Sequence, residues 1–286
     1  MRAMKPDVAA LVARMPESDE PGKESKFTGP DPAEAAKVFD EILAGGPESV
    51  EELISLVHDV TDDGFKDYRP EYVLHCLAVR VGASGMEAQK KVLAEAMASR
   101  LADEKLTSGV RGILLRKLQL AAGPEVAAAI GKYLLDERLG DHAALALVAI
   151  RDGAADELLK ALPAAKGRNR LAIVQALGAV RAAGAVAALK DAVHDGDVDV
   201  RIAAVWALAS IGEADGADAI IKASETSSGW ERIQAAKACL VLAENLAAAG
   251  KKSEASRVYK RLAEGRTDSS EAYIREAAER GLSTRV

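Results

Sequence analysis

Residues 194–212 read "HDGDVDVRIAAVWALASIG". Asp195, Asp197 and Asp199 stand at alternate positions, as in a calcium-binding loop, and an apolar stretch follows. A calcium loop of the helix–loop–helix type needs Gly at its sixth position and Glu at its twelfth. Counted from Asp195, those positions hold Val200 and Trp206, so the spacing points elsewhere. From Val200, apolar residues recur at 200, 203, 204, 207, 208 and 211. Steps of three and one trace a single face of an α-helix. An Asp just ahead of such a stripe accepts backbone N–H bonds and faces the positive end of the helix dipole, which makes Asp197 or Asp199 the expected N-cap.

The stripe recurs. "RLAIVQALGAV" (170–180) aligns with "RIAAVWALASI" (201–211), placing Arg170 on Arg201 and Ala176-Leu177 on Ala207-Leu208. One period upstream, "HAALALVAI" (142–150) carries Ala146-Leu147 in the same place; one downstream, "RIQAAKACLVL" (232–242) opens on Arg232. "REAAERGL" (275–282) repeats the order near the end, and "RGILLRKLQL" (111–120) opens another such helix. Between them lie second helices: 124–139, 154–163, 185–195, 217–225 and 253–265. Two short helices per period of about 30 residues, separated by turn signals, define an α-solenoid, in which each hairpin hides its apolar face only by stacking on its neighbours.

Composition agrees. Hydrophobic residues make up 49% of the 286-residue chain but aromatics only 3%, so the apolar content is mainly Ala, Leu, Val and Ile, as in closely packed helices. A net charge of −6 and a pI near 5.5 argue against nucleic-acid binding, which needs a clustered basic surface. Cys76 and Cys239 lie far apart in apolar helical patterns and read as two buried thiols of a reduced protein. Val8 to Met15 is too short for a secretory core, and no apolar run approaches a membrane span. A soluble, cytoplasmic chain is expected. Residues 1–30 read as a short N-terminal helix and an acidic, Pro-containing linker, and residues 31–286 as a solenoid of about seven helical pairs.

The Asp-x-x-Val-Arg-x-x-Ala-x-x-Ala-Leu pattern of 197–208, followed by Gly212 and a second helix, resembles a HEAT repeat of the short type described in phycobilin lyases. The resemblance is strongest over 140–245 and extends through "RPEYVLHCLAVRVG" and "RGILLRKLQL"; residues 31–60 pair as a first hairpin. "ENLAAAGKKSEASRVYKRLAEG" (244–265) departs from the spacing and is more similar to a tetratricopeptide hairpin, with Gly250, Ala255 and Tyr259 at fitting places. The resemblance implies a right-handed, all-α solenoid. It also implies an Asp–Arg ladder between repeats, for Asp199 and Arg201, within the row Arg170, Arg201, Arg232 and Arg275.

Motifs for chemistry are scarce. His58, His75, His142 and His194 lie beyond helical reach of one another, and no His-Glu dipeptide occurs of the kind expected in di-iron hydroxylases built on HEAT repeats. His75 reads as a core or half-buried residue and the other three as helix-end residues. "GASG" (82–85) lacks the Lys-Ser/Thr of a P-loop, and no Gly-x-Ser-x-Gly elbow is present. Trp206, beside Ala207 and Leu208, reads as a packing residue rather than a platform for bases. No catalytic residue, cofactor or metal is assigned, and no enzyme activity is expected.

One feature rises above scaffold. Lys160, Lys190, Lys222 and Lys260 each follow two mostly apolar residues in successive second helices. Leu158, Leu159 and Leu162 set a core direction from which Lys160 points away. In HEAT-like solenoids that side of the second helix lines the concave surface. The four lysines are therefore the expected protein-binding residues, guiding an acidic peptide or protein segment into the groove. The function expected is a non-enzymatic protein- or peptide-binding scaffold. The alternatives are a lyase or enzyme-accessory protein of phycobilin-lyase type, and a structural subunit of a larger bacterial complex. The oligomeric state is left open.

Overall fold

The computed structural model describes residues 6–17, 29–59 and 67–285. Most of the acidic linker, residues 18–28, lies outside the described residues. The described residues contain α-helices and short 3-10 turns and no strand, so the fold is all-α. The chain forms two compact units, Met1–Gly153 and Ala154–Val286.

The first unit comprises α1 (Val8–Val12), α2 (Pro32–Ala44), α3 (Gly46–Leu56), α4 (Arg69–Arg80), α5 (Glu87–Leu101), α6 (Ser108–Ala121), α7 (Ala127–Gly131) and α8 (Gly140–Ile150). α6 packs between α4 and α8, while α5 packs on α3, α6 and α7. Its starts are written in the sequence: Asp7, Asp31 and Thr107 each accept a backbone N–H of the first turn of α1, α2 and α6. The helix expected over 124–139 is shorter than its pattern. It is a 3-10 turn, Pro124–Val126, followed by the five-residue α7. Beyond Gly131 the chain turns so that Leu134 is fully buried and the Tyr133 hydroxyl donates to the Leu101 carbonyl at the end of α5.

The second unit comprises α9 (Ala154–Ala161), α10 (Gly167–Ala179), α11 (Val186–Ala192), α12 (Val198–Ile211), α13 (Ala217–Thr226), α14 (Gly229–Ala248), α15 (Lys252–Gly265) and α16 (Ala272–Arg285). First helices form one layer: α12 packs against α10 and α14, and α14 against α16. Second helices fold back on them, α11 on α12, α13 on α14, and α15 on α14 and α16. Helices are thus packed in sequential pairs. Asp197 caps α12, its carboxylate accepting the Asp199 N–H at 2.9 Å, and Gly212 ends it at φ 77°. The buried set of α12 is wider than the one stripe read from sequence. Val205 and Ala209 join Val200, Ala203, Ala204, Ala207 and Leu208, because α12 is covered by both layer neighbours and by second helices. Small residues set that approach: a Cβ on Gly178 would stand 2.7 Å from the Ala207 Cα.

Candidate functional site

The arginine row fixes the ends of successive second helices in the second unit. Each arginine of the row reaches back to the end of the preceding second helix. Arg170 Nη1 donates to the Leu162 carbonyl at 3.1 Å, Arg201 to the Asp195 carbonyl at 2.9 Å, Arg232 to the Ser224 and Glu225 carbonyls at 3.0 Å, and Arg275 to the Arg266 carbonyl at 2.9 Å. These bonds satisfy carbonyls that a helix C-terminus leaves without partners. Three of the arginines also reach forward, to a carboxylate in the turn before the next first helix or in its first turn. Arg170 meets Asp195 at 2.6 Å, Arg201 meets Glu231 at 2.7 Å and Arg232 meets Glu271 at 2.8 Å.

A ladder therefore joins the repeats, but Asp199 is not its acidic member. Asp199 lies on the exposed side of the first turn of α12, while Glu231, on the first turn of α14, faces Arg201. The pairs hold their carboxylates ionised. Arg201 lowers the pKa of Glu231, and Arg232 that of Glu271. That of Asp195 is lowered by the Asp197 backbone N–H and then by Arg170.

The lysines differ in what surrounds them. Lys160, on α9, is exposed and has no ion partner among the described residues. Lys190, on α11, lies 3.2 Å from the Asp215 carboxylate. Lys222 and Lys260, on α13 and α15, share an open groove of about 460 Å³. Ile221 is on its lining, with Asp218, Glu225, Glu264, Arg257 and Arg261 around it. Arg257 pairs with Asp218 at 3.2 Å and Arg261 with Glu225 at 2.6 Å. Lys222 and Lys260 have no ion partner among the described residues. The structure thus brings two of the four lysines into one cavity and stands the other two on neighbouring second helices. The lining is of mixed charge, an arrangement hidden from the sequence because the acids lie on other turns.

Elsewhere the groups with chemical potential are dispersed. His75 is exposed rather than half-buried, since α4 turns Val73, Leu74, Leu77 and Ala78 inward. Cys76 is half-buried; Cys239 is fully buried, which pushes its thiol up to about 12. Trp206 is half-buried beside a groove between α10 and α12, its indole N–H donating to the Gln234 side chain at 2.9 Å. Sequence reasoning missed two features. Arg266 is 1% exposed and donates to the Ser224 carbonyl at 2.8 Å, a burial that no local pattern announces. Trp230 is 65% exposed. No helix of the described residues is long and apolar enough to cross a membrane.

Residues 155–241 match the family model for HEAT repeats, the class to which the two-helix period and the arginine row of this stretch point. No curated protein matches the chain. Among solved structures, an engineered protein is 18% identical with a TM-score of 0.46, covering 96% of this chain and 77% of its own. The CpcE–CpcF complex of phycocyanin lyase from Nostoc sp. PCC7120 is 17% identical with a TM-score of 0.42, covering 94% of this chain and 100% of its own. Human deoxyhypusine hydroxylase in complex with glycerol is 17% identical with a TM-score of 0.33, covering 96% and 94%.

Proposed function

We propose that this protein binds another protein or a peptide segment, catalyses no reaction itself, and receives an acidic ligand along the second helices of residues 154–286. The observation that carries this reading is the groove between α13 and α15, where Lys222 and Lys260 stand without ion partners while the arginines beside them are already paired. A ligand carboxylate entering there meets two ammonium groups outside any ion pair beside the apolar side chain of Ile221, against the single carboxylate of Glu264 on the same lining. Lys160 extends the cationic positions to α9. The exposed Lys190–Asp215 pair is of a kind that contributes about 0–1 kcal/mol, so it opens to a competing carboxylate at little cost. HEAT repeats are in general protein-binding modules, which supports the assignment. The absence of chemistry is supported by the dispersed histidines and by the burial of Cys239, whose raised pKa keeps it a thiol at neutral pH.

The short repeat type named from phycobilin lyases fits the 31-residue offsets of the arginine row up to Arg232. A tetratricopeptide-like last hairpin is supported by the left-handed Gly250 (φ 77°) and by the burial of Ala255 and Tyr259.

The test is fluorescence anisotropy with a labelled twelve-residue peptide of alternating Glu and Leu. Saturable binding that weakens with salt is expected, together with a loss of at least about tenfold in affinity for K160E/K222E/K260E. Equal affinity of the triple variant and the parent overturns the reading.

A further inference from the structure

Among its described residues the second unit exposes three large apolar side chains, Val198, Trp230 and Tyr273. Each is the first or second residue of a first helix: Val198 opens α12, Trp230 is second in α14 and Tyr273 second in α16. Trp230 and Tyr273 each precede an arginine of the row by two residues, so they occupy the same place in successive repeats. In a chain with 3% aromatic residues, two aromatics at one repeat position, 65% and 47% exposed, are a surface feature rather than leftover core. α12, α14 and α16 are packed in that order. Neighbouring packed helices lie about 8–10 Å apart, so the three side chains form a row along the N-terminal ends of the first helices.

The charge along this row has one sign. Over residues 195–201, 227–233 and 267–276, the exposed charged side chains are Asp197, Asp199, Asp268 and Glu276. Arg201 and Arg232 on the same segments are half-buried and held by Glu231 and Glu271, and the half-buried Arg275 donates to the Arg266 carbonyl. The edge therefore combines apolar knobs with exposed carboxylates that form no close ion pair among the described residues, a character distinct from that of the lysine-bearing second helices.

We infer that the N-terminal edge of α12, α14 and α16 is a second docking surface, and that its occupant is a basic extended peptide segment with an apolar side chain at every third residue. The spacing follows from the geometry. A peptide in the extended polyproline II form has three residues per turn and rises about 3.1 Å per residue, so every third side chain lies on one face and advances by about one interhelical distance. Apolar side chains then meet Val198, Trp230 and Tyr273, while the intervening Lys or Arg face Asp197, Asp199, Asp268 and Glu276. Aromatic anchors carry the affinity and the carboxylates the orientation and encounter rate.

Trp206 and Trp230 are the chain's two tryptophans, which makes the test direct. In the full-length W206F variant, Trp230 alone reports. Titration with a twelve-residue peptide of four Lys-Lys-Leu repeats is expected to shift its emission to the blue, with a saturable curve. A Glu-Glu-Leu peptide of the same length should cause no shift. Measured by anisotropy of the labelled basic peptide, W230S/Y273S in the otherwise unaltered chain should bind about tenfold or more weakly. D197N/D199N should bind more weakly and with a shallower salt dependence. Circular dichroism of both variants should match the parent, since the replaced side chains are exposed. The inference is overturned by an unshifted Trp230 emission, by equal binding of the acidic peptide, or by undiminished binding of W230S/Y273S. It is equally overturned if sedimentation shows a dimer that W230S/Y273S abolishes, because the edge would then serve self-association. K160E/K222E/K260E should leave this binding undiminished, so the two surfaces are tested separately.

Discussion

Arg201 shows how much one side chain does in a stacked fold. Its guanidinium closes the end of α11 through the Asp195 carbonyl and holds the Glu231 carboxylate at the start of α14. Replacement by Met keeps the stem but leaves those groups half-buried without a partner, a loss of about 1–3 kcal/mol read by urea unfolding. The sign with pH follows from the lowered pKa values of Glu231, Glu271 and Asp195. A carboxylate whose pKa is depressed on folding adds stability above its ordinary range, about pH 4, and that stability is lost as pH falls through the depressed values. Acidification should therefore destabilise the parent more steeply than R201M, in which one of these pairs is already gone. The arginine row itself was legible, because identical residues recur at one period. Its acidic partner was not: Asp199 and Glu231 are both acids near the start of a first helix, and only packing decides which of them faces Arg201. His75 was misplaced for a related reason. Flanking apolar residues suggested a core position, yet the face made by Leu74, Leu77 and Ala78 turns it outward.

Among helices, those of the second unit were legible where an arginine followed by Ala six residues on recurs at one period, as in α10, α12 and α14. α5 is harder to read: it buries Leu93, Ala94, Ala96, Met97, Ala98 and Leu101 over more than one stripe, leaving Lys91, Glu95 and Ser99 exposed, because α3, α6 and α7 cover several of its sides. Helix ends hold a further lesson. α12 ends on the left-handed Gly212, whereas the residue one period before it, Arg181, adopts φ 52° as an L-residue with a side chain. Such a conformation costs about 1–2 kcal/mol, which glycine avoids. After allowance for glycine's freer unfolded chain, R181G should stabilise the protein by up to about 1 kcal/mol, measured as a raised urea midpoint at unchanged slope. A lowered midpoint would mean that the arginine side chain contributes more than its backbone costs.

At the scale of the whole molecule, the chain gathers into Met1–Gly153 and Ala154–Val286, each with its own buried Ala, Leu and Val core. Both tryptophans lie in the second unit. Fluorescence therefore reports on that unit alone, whereas far-ultraviolet circular dichroism sums the helices of both. The two signals should give urea transitions that do not superimpose; coincident curves would mean that one cooperative event unfolds the chain. The repeat architecture could be read from sequence because repetition multiplies a weak local signal. The groove of α13 and α15 could not, since its lining is gathered from two helices whose registers no single-helix pattern relates. The forward-reaching arginines have a last consequence, for how such a chain lengthens. Each one engages only the neighbour ahead and the turn behind, so copying one 31-residue segment in the gene, from 170 to 200, would recreate a complete contact at both seams. Growth and shrinkage by whole modules are then the mutational steps this protein tolerates best, and partial insertions the ones it rejects.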